Sequence, residues 1–217
     1  CCAIGAARCF GFELPLNFRN PYAAVGFSDF WRRWHISLST WLRDYLYIAL
    51  GGNRGGAWRT YRNLMLTMLL GGLWHGAGWN FVLWGGCHGL LLAVERALRE
   101  RDGVVPEVRG WSRPLWALVT LIAVVALWIP FRSPDFASTA QFLQAFAAPW
   151  TPLDFAAKCV LVAFAVLVLV QWWARDRSLD EVVAGAPAWL LAPALALLIV
   201  LVVLSPGDSN AFIYFQF

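Results

Sequence analysis

Between Asn63 and Val94 the chain runs for 32 residues without Asp, Glu, Lys or Arg. As one helix this run would extend about 48 Å, more than the roughly 30 Å hydrocarbon core of a bilayer. Gly71, Gly72, Gly76 and Gly78 interrupt its middle. Arginines flank both ends: Arg54, Arg59 and Arg62 before it, Arg96, Arg99 and Arg101 after it. Positively charged flanks prefer the cytoplasmic side. The pattern predicts a helical hairpin that enters and leaves on one face, broken at the glycines. Non-helical backbone at that depth is tolerated only where it is buried in protein or lines a cavity. The thirteen residues from Asn63 to His75 rise about 20 Å, which puts His75 deep in the membrane at the apex.

The rest of the chain follows the same logic. Residues 1–26, punctuated by glycine and proline, read as the end of a helix and a loop. From Phe27 to Leu50 the period is helical. Phe27, Trp31, Trp34, Leu38, Trp41, Leu42 and Tyr45 gather on one face, and Arg32, Arg33, Ser37, Ser39, Thr40, Arg43 and Asp44 on the other. This predicts one amphipathic helix lying in the interface, ended by the basic loop GGNRGG at 51–56. Residues 95–113 form a charged cytoplasmic loop. Pro114–Phe131 is a span, and Arg132–Asp154, poor in basic residues, lies outside. Lys158–Ala174 is a shorter span, followed at the inner face by Arg175 and Arg177. Trp189–Leu204 is the last span, and the tail 205–217 ends in FIYFQF.

Composition supports a membrane class. Of 217 residues, 60% are hydrophobic and 14% are charged, where a soluble domain carries about 25% charged. The net charge of +4 comes from 16 arginines and a single lysine, Lys158. These arginines flank apolar runs, so orientation in the membrane explains them better than nucleic-acid binding. The five cysteines show neither a C-x-x-C pair nor a Cys/His metal spacing, so no metal and no bound cofactor is expected. The expected fold is all-α: a polytopic transmembrane helical protein with an interfacial amphipathic helix and a broken helical hairpin around a membrane-embedded site. The chain reads as a single membrane domain, 1–217, that starts partway through a protein with further spans upstream.

His75 is the first candidate for chemistry. An ionisable side chain in a long apolar run is costly and marks a functional site by default. The competing role is a neutral imidazole bonded to a neighbouring helix. By position alone His35, on the rim of the amphipathic helix, reads as an interfacial histidine. No Gly-x-Ser-x-Gly elbow is present, so a covalent serine triad is not expected.

The runs NFRNPYAAVGFSDFWRRWHISLSTWLRDYLYIALGGNRGG (Asn17–Gly56) and RNLMLTMLLGGLWHGAGWNFVLWGGCHGLLLAVER (Arg62–Arg96) closely resemble the membrane-bound O-acyltransferase family. The branch they resemble holds alginate O-acetyltransferases and their peptidoglycan and exopolysaccharide relatives. LWIPFRS (Leu127–Ser133) and FIYFQF are similar to the same branch. The resemblance implies roughly the C-terminal half of a polytopic enzyme, with His75 in the W-H-G motif and His35 in R-R-W-H-x-S-L-S as catalytic histidines. His88 also matches a family histidine, and helix packing is its expected role.

The implied activity is acyl transfer from a cytoplasmic thioester, acetyl-CoA or another, toward hydroxyls of a secreted polysaccharide. It implies a bacterial inner membrane and a periplasmic acetyltransferase partner, with no nucleic acid. D-alanyl transfer to teichoic acid is the alternative within the family, and a non-enzymatic scaffold or transport subunit the alternative outside it. In the acyltransferase reading His75 is the base, His35 and Asn80 polarise the donor carbonyl, and Trp74 and Trp79 wall the pocket. Arg32, Arg33, Arg43 and Arg54 either attract the anionic donor or contact lipid headgroups.

Overall fold

A computed structural model describes residues 2–101, 110–146 and 152–204. The FIYFQF tail, residues 102–109 of the expected 95–113 loop and the Arg101 side chain lie outside the described residues, and 95–101, expected in that loop, are helical instead. Every regular element among the described residues is helical. The chain falls into two compact units, Cys1–Arg175 and Asp176–Phe217.

The first unit opens with α1 (Cys2–Cys9) and an extended stretch that leads to a 3₁₀ turn, Pro21–Ala23. Then come α2 (Phe27–Arg33), α3 (Ile36–Trp41) and a π-helical turn, Leu42–Tyr47. The hairpin is α4 (Ala57–Leu73) and α5 (Trp79–Arg101), followed by α6 (Ser112–Arg132), α7 (Phe136–Ala145) and α8 (Phe155–Trp173). In the second unit a capping box from Ser178 and Glu181 starts α9 (Leu179–Gly185), and α10 (Ala188–Leu204) is apolar throughout.

Among the described residues three helical stretches are long and apolar enough to cross a membrane: Trp79–Arg99, Ser112–Arg132 and Phe155–Trp173. The last is apolar apart from Lys158 and Gln171 near its ends and has no buried residue, the signature of a helix built for lipid or for a further helical layer. The expected spans at 114–131 and 158–174 are therefore present as α6 and α8. The segment expected outside, 132–154, holds α7, whose first turn is capped by the Asp135 carboxylate accepting from the Ser138 N–H at 2.7 Å.

The α4–α5 hairpin closes because glycines let two backbones touch. A Cβ on Gly72 would lie 2.2 Å from the Phe81 carbonyl oxygen, and one on Gly85 2.3 Å from that of Met68. Small residues at such crossings replace the driving force that water supplies in soluble proteins. Gly71 and Gly72 are thus packing residues inside α4, and the chain break itself is Trp74–Gly78. At the open end Arg96 Nη1 donates to Asn53 Oδ1 at 3.0 Å, joining the two arginine-rich ends.

At the closed end Asn80 Nδ2 donates to the Ser133 carbonyl at 2.8 Å. The apex is therefore level with the last turn of α6, a helix of about 31 Å. The hairpin stands as tall as the span beside it instead of stopping part-way across.

The amphipathic stretch differs most from expectation. The single helix expected over 27–50 is broken at Trp34–His35, where His35 adopts the left-handed conformation (φ 44°, ψ 54°). Asn17, from the extended stretch, substitutes for a local cap. Its carbonyl accepts from the Ile36 N–H (3.0 Å) and its side chain from the Ser37 N–H (2.9 Å). The aromatic face also turns inward: Phe30 packs with Ala24 and Val124, and Trp31, Trp34 and Trp128 surround them. Only Trp41 and Tyr45, stacked on each other, remain exposed.

Two polar anchors hold α2. Glu95, buried on α5, accepts from the N–H groups of Phe27 (2.5 Å) and Ser28 (3.0 Å) and pairs with Arg99. These N–H groups belong to the first turn of α2, which has no cap of its own. Asp29 pairs with Arg33 (3.0 Å) and with Arg175 beyond α8 (2.7 Å), all largely buried.

Candidate active site

Aromatic rings collect around the apex. His75 lies in the Trp74–Gly78 break, half-buried between Trp84 of α5 and Phe131 of α6, with ring centroids 5.3 and 5.0 Å away. Phe81 completes the wall at 6.3 Å. Both neighbouring indole and phenyl rings stand nearly perpendicular to the imidazole, at 87° and 81°. A Cβ on Gly76 would come within 2.5 Å of the Phe81 ring, so the loop at this point needs a glycine.

His35 reaches the same place from the other side. Trp74 packs against both histidines, 5.0 Å from His75 and 6.1 Å from His35. The left-handed backbone at His35 is what turns the ring toward Trp74. Such conformations in a non-glycine residue are uncommon and cluster at functional sites. His35 Nδ1 is buried and has no hydrogen-bond partner from the chain. Partial burial pushes the imidazole below its usual value, which leaves it neutral near pH 7.

The other candidates separate. Trp74 is 56% exposed yet touches both histidines, whereas Trp79 is 74% exposed and stands off the ring cluster. Asn80 is buried and donates to the Ser133 carbonyl, which ties α5 to α6. Arg33 is engaged with Asp29 and donates to the Arg175 carbonyl at 2.8 Å.

Arg32 instead lines a cavity of about 630 Å³ together with Arg19, Arg43, Arg96, Asn53 and Trp31. Arg43 is also paired with Asp44 at 2.7 Å on the exposed surface. Arg54 is exposed and outside this lining. Trp31 joins the cavity to the histidine cluster, since its ring packs on Trp84 (5.8 Å), which in turn packs on His75.

Phe81, Trp84 and Phe131 are site residues that sequence reasoning left out. Trp84 could have been found, because it lies four residues after Asn80 and four before His88 on one face of α5. Phe131 sits inside the LWIPFRS run. Among the described residues no group of three His, Cys, Asp or Glu side chains is placed to hold a metal.

These features define a class: a helical membrane protein with two histidines joined by a tryptophan at the apex of a broken hairpin. Residues 1–101 match the model of MBOAT, the membrane-bound O-acyltransferase family. The chain is 55% identical over 134 residues to the probable alginate O-acetylase AlgI of Azotobacter vinelandii, which covers 61% of this chain and 26% of the relative. It is 44% identical over 146 residues to the peptidoglycan O-acetyltransferase of Helicobacter pylori (65% and 27%). It is 33% identical over 102 residues to the teichoic acid D-alanyltransferase of Bacillus subtilis (42% and 25%). Each match spans about a quarter of the curated relative's length.

Proposed function

We propose that this chain carries the acyl-transfer site of a multi-pass O-acetyltransferase in a bacterial inner membrane. The observation that carries the reading is the convergence of His75 and His35 on Trp74 at the apex of the hairpin. The donor is a cytoplasmic thioester, acetyl-CoA in the simplest case. The acceptor is a hydroxyl of a secreted polysaccharide such as alginate, reached through a periplasmic acetyltransferase partner. The arginine-lined cavity suits an anionic donor, because cations that converge on one opening concentrate anions there. The level of the apex, at the far end of α6 from the arginine-rich loops, suits an acceptor arriving from outside.

In this mechanism His75 takes the proton of the acceptor hydroxyl as its oxygen attacks the thioester carbonyl carbon. The C–O bond forms, the C–S bond breaks, and the departing thiolate recovers the proton from the imidazolium. His35 stabilises the oxyanion, a role for which pre-placed donors are effective. Asn80 holds the apex to α6.

In the full-length enzyme His75→Ala and His75→Gln should each lower polymer acetylation about 10²–10⁴-fold, the usual contribution of a general base, at unchanged membrane abundance. His35→Asn, chosen because Asn tolerates the left-handed backbone, should cause a deep but incomplete loss. Near-normal acetylation by either His75 variant would overturn the assignment and favour a scaffold or transport role.

The relationship to the teichoic acid D-alanyltransferase supports a second reading, with D-alanyl thioester as donor and teichoic acid as acceptor. Supplying acetyl-CoA and a D-alanyl carrier-protein thioester in parallel to membranes containing the enzyme separates the two.

A further inference from the structure

His88 is the most deeply buried histidine of the chain, 1% exposed on α5, one turn beyond Trp84. It sits in an aromatic box. Phe30 stacks on it at 6.2 Å, while Trp31 and Trp84 meet it edge-on at 5.1 and 4.7 Å. Four buried polar atoms belong to this box and have no hydrogen-bond partner from the chain: both imidazole nitrogens of His88, and the indole nitrogens of Trp31 and Trp84.

Their chemistry limits what can satisfy them. Both indoles are donors only, and a neutral imidazole offers one donor and one acceptor. The single acceptor nitrogen of His88 can serve at most one of the two indoles well, and its own N–H still needs an acceptor. A ligand that both accepts and donates resolves the mismatch. One water does so for three of the four atoms, accepting from the two indole N–H groups and donating to the bare imidazole nitrogen, within the two to four bonds typical of buried water, and the imidazole N–H on the other ring nitrogen takes a second water as its acceptor. Burying these groups unpaired would cost their full desolvation.

We propose that His88, Trp31 and Trp84 form an internal water site, and that His88 acts through it as a positioning residue for His75. Trp84 is the connecting piece. Its ring meets His88 at 4.7 Å and also His75 at 5.3 Å, against which it forms a wall. A water held by His88 fixes the Trp84 indole N–H, and with it the plane of the ring that locates the imidazole of His75. Trp31, bonded to the same water, forms the wall between this site and the arginine-lined cavity. The positioning role rests on the acyl-transfer reading; the water site itself does not.

Brief radiolysis of the full-length enzyme in ¹⁸O-water tests the two parts separately, because hydroxyl radicals made from ordered internal water label the side chains beside them. Trp84, though only 5% exposed, should take up oxygen, and the ¹⁸O share of that oxygen should rise only slowly with the time between mixing into ¹⁸O-water and irradiation, because the bound water exchanges slowly with bulk. His88→Phe should abolish labelling at Trp84, and His88→Gln should retain it. In the same preparations His88→Phe should lower kcat about 10- to 100-fold, the scale of a small misplacement of a reacting group, with KM for the donor within about twofold. His88→Gln should restore most of kcat. Unlabelled Trp84 in the unsubstituted enzyme would overturn the water site whatever the activity. Labelled Trp84 with unchanged kcat in His88→Phe would overturn the positioning role alone. If the unsubstituted enzyme transfers no acetyl group while Trp84 is labelled, the acyl-transfer reading fails and the water site stands.

Discussion

The residue that best shows how charge is managed in this fold is Asp29. Burial pushes its carboxyl up, but the Val25 N–H and the Arg33 and Arg175 guanidiniums outweigh this and hold it below the usual carboxylate range. Arg175 also donates from Nε to the Ala23 carbonyl at 2.8 Å, so one aspartate ties the start of α2 to the chain beyond α8. Removing the carboxylate leaves two guanidiniums in a largely buried place, and breaking a buried pair from one side typically costs about 3–5 kcal/mol. Asp29→Asn should therefore lower the thermal midpoint of the purified protein clearly, while Asp44→Asn, on the exposed surface, should not. The pH dependence follows from the sign of the shift. A depressed folded value means that Asp29 contributes in full above the ordinary value near 3.8, and that this contribution fades as pH falls through the lower folded value. Unfolding midpoints measured down to pH 3 should fall less steeply in Asp29→Asn than in the parent; parallel curves would refute the role.

At the scale of elements, the hairpin is governed by two contacts in which a carbonyl oxygen fills the place of a missing Cβ. The oxygen of Met68 would stand 2.3 Å from a Cβ on Gly85, and neither backbone can yield without separating α4 from α5. Gly85→Ala should cost at least the 1–3 kcal/mol usual for overpacking, read as loss of folded protein in the membrane and a lower midpoint in detergent. Gly5→Ala in α1, where a Cβ meets nothing within 4 Å, is the matched control and should be silent. The hairpin and its break were legible because an uncharged run too long for one crossing must turn, and His75 was legible because it sits at that turn. The break at His35 was not. Nothing between Phe27 and Leu50 stops a helix locally; the cap comes from Asn17, eighteen residues earlier, and only tertiary contact reveals it. For the same reason Glu95 read as the first charge of a loop, although its partners are the free N–H groups of α2. The aromatic period of 27–50 reads as one face, but the break divides it, so that Phe27, Trp31 and Trp34 turn inward and Trp41 and Tyr45 outward, and periodicity alone cannot tell a face turned to lipid from one turned to a protein core.

For the molecule as a whole, orientation in the membrane decides whether one site can meet a donor and an acceptor from opposite sides. The arginine-rich start of α4 and end of α5 are brought together by the Arg96–Asn53 bond, so both ends of the hairpin share one face. The single helix α6 then leads from that face to the level of the apex, where Asn80 meets Ser133. The 51–56 loop and the start of α7 are therefore expected on opposite sides, the first cytoplasmic by its arginines. Single cysteines at Arg54 and Ala137, both exposed, report on this after the five native cysteines are replaced. Arg54 is preferred to Gly55, whose φ of 95° and closeness to Arg59 would strain any side chain. In intact cells with a permeable outer membrane, an impermeant maleimide should label Arg54→Cys only after the inner membrane is opened, and Ala137→Cys at once. Labelling of both from one side would mean that α6 does not cross alone, and that a cytoplasmic thioester and an external sugar cannot meet at His75 from opposite sides.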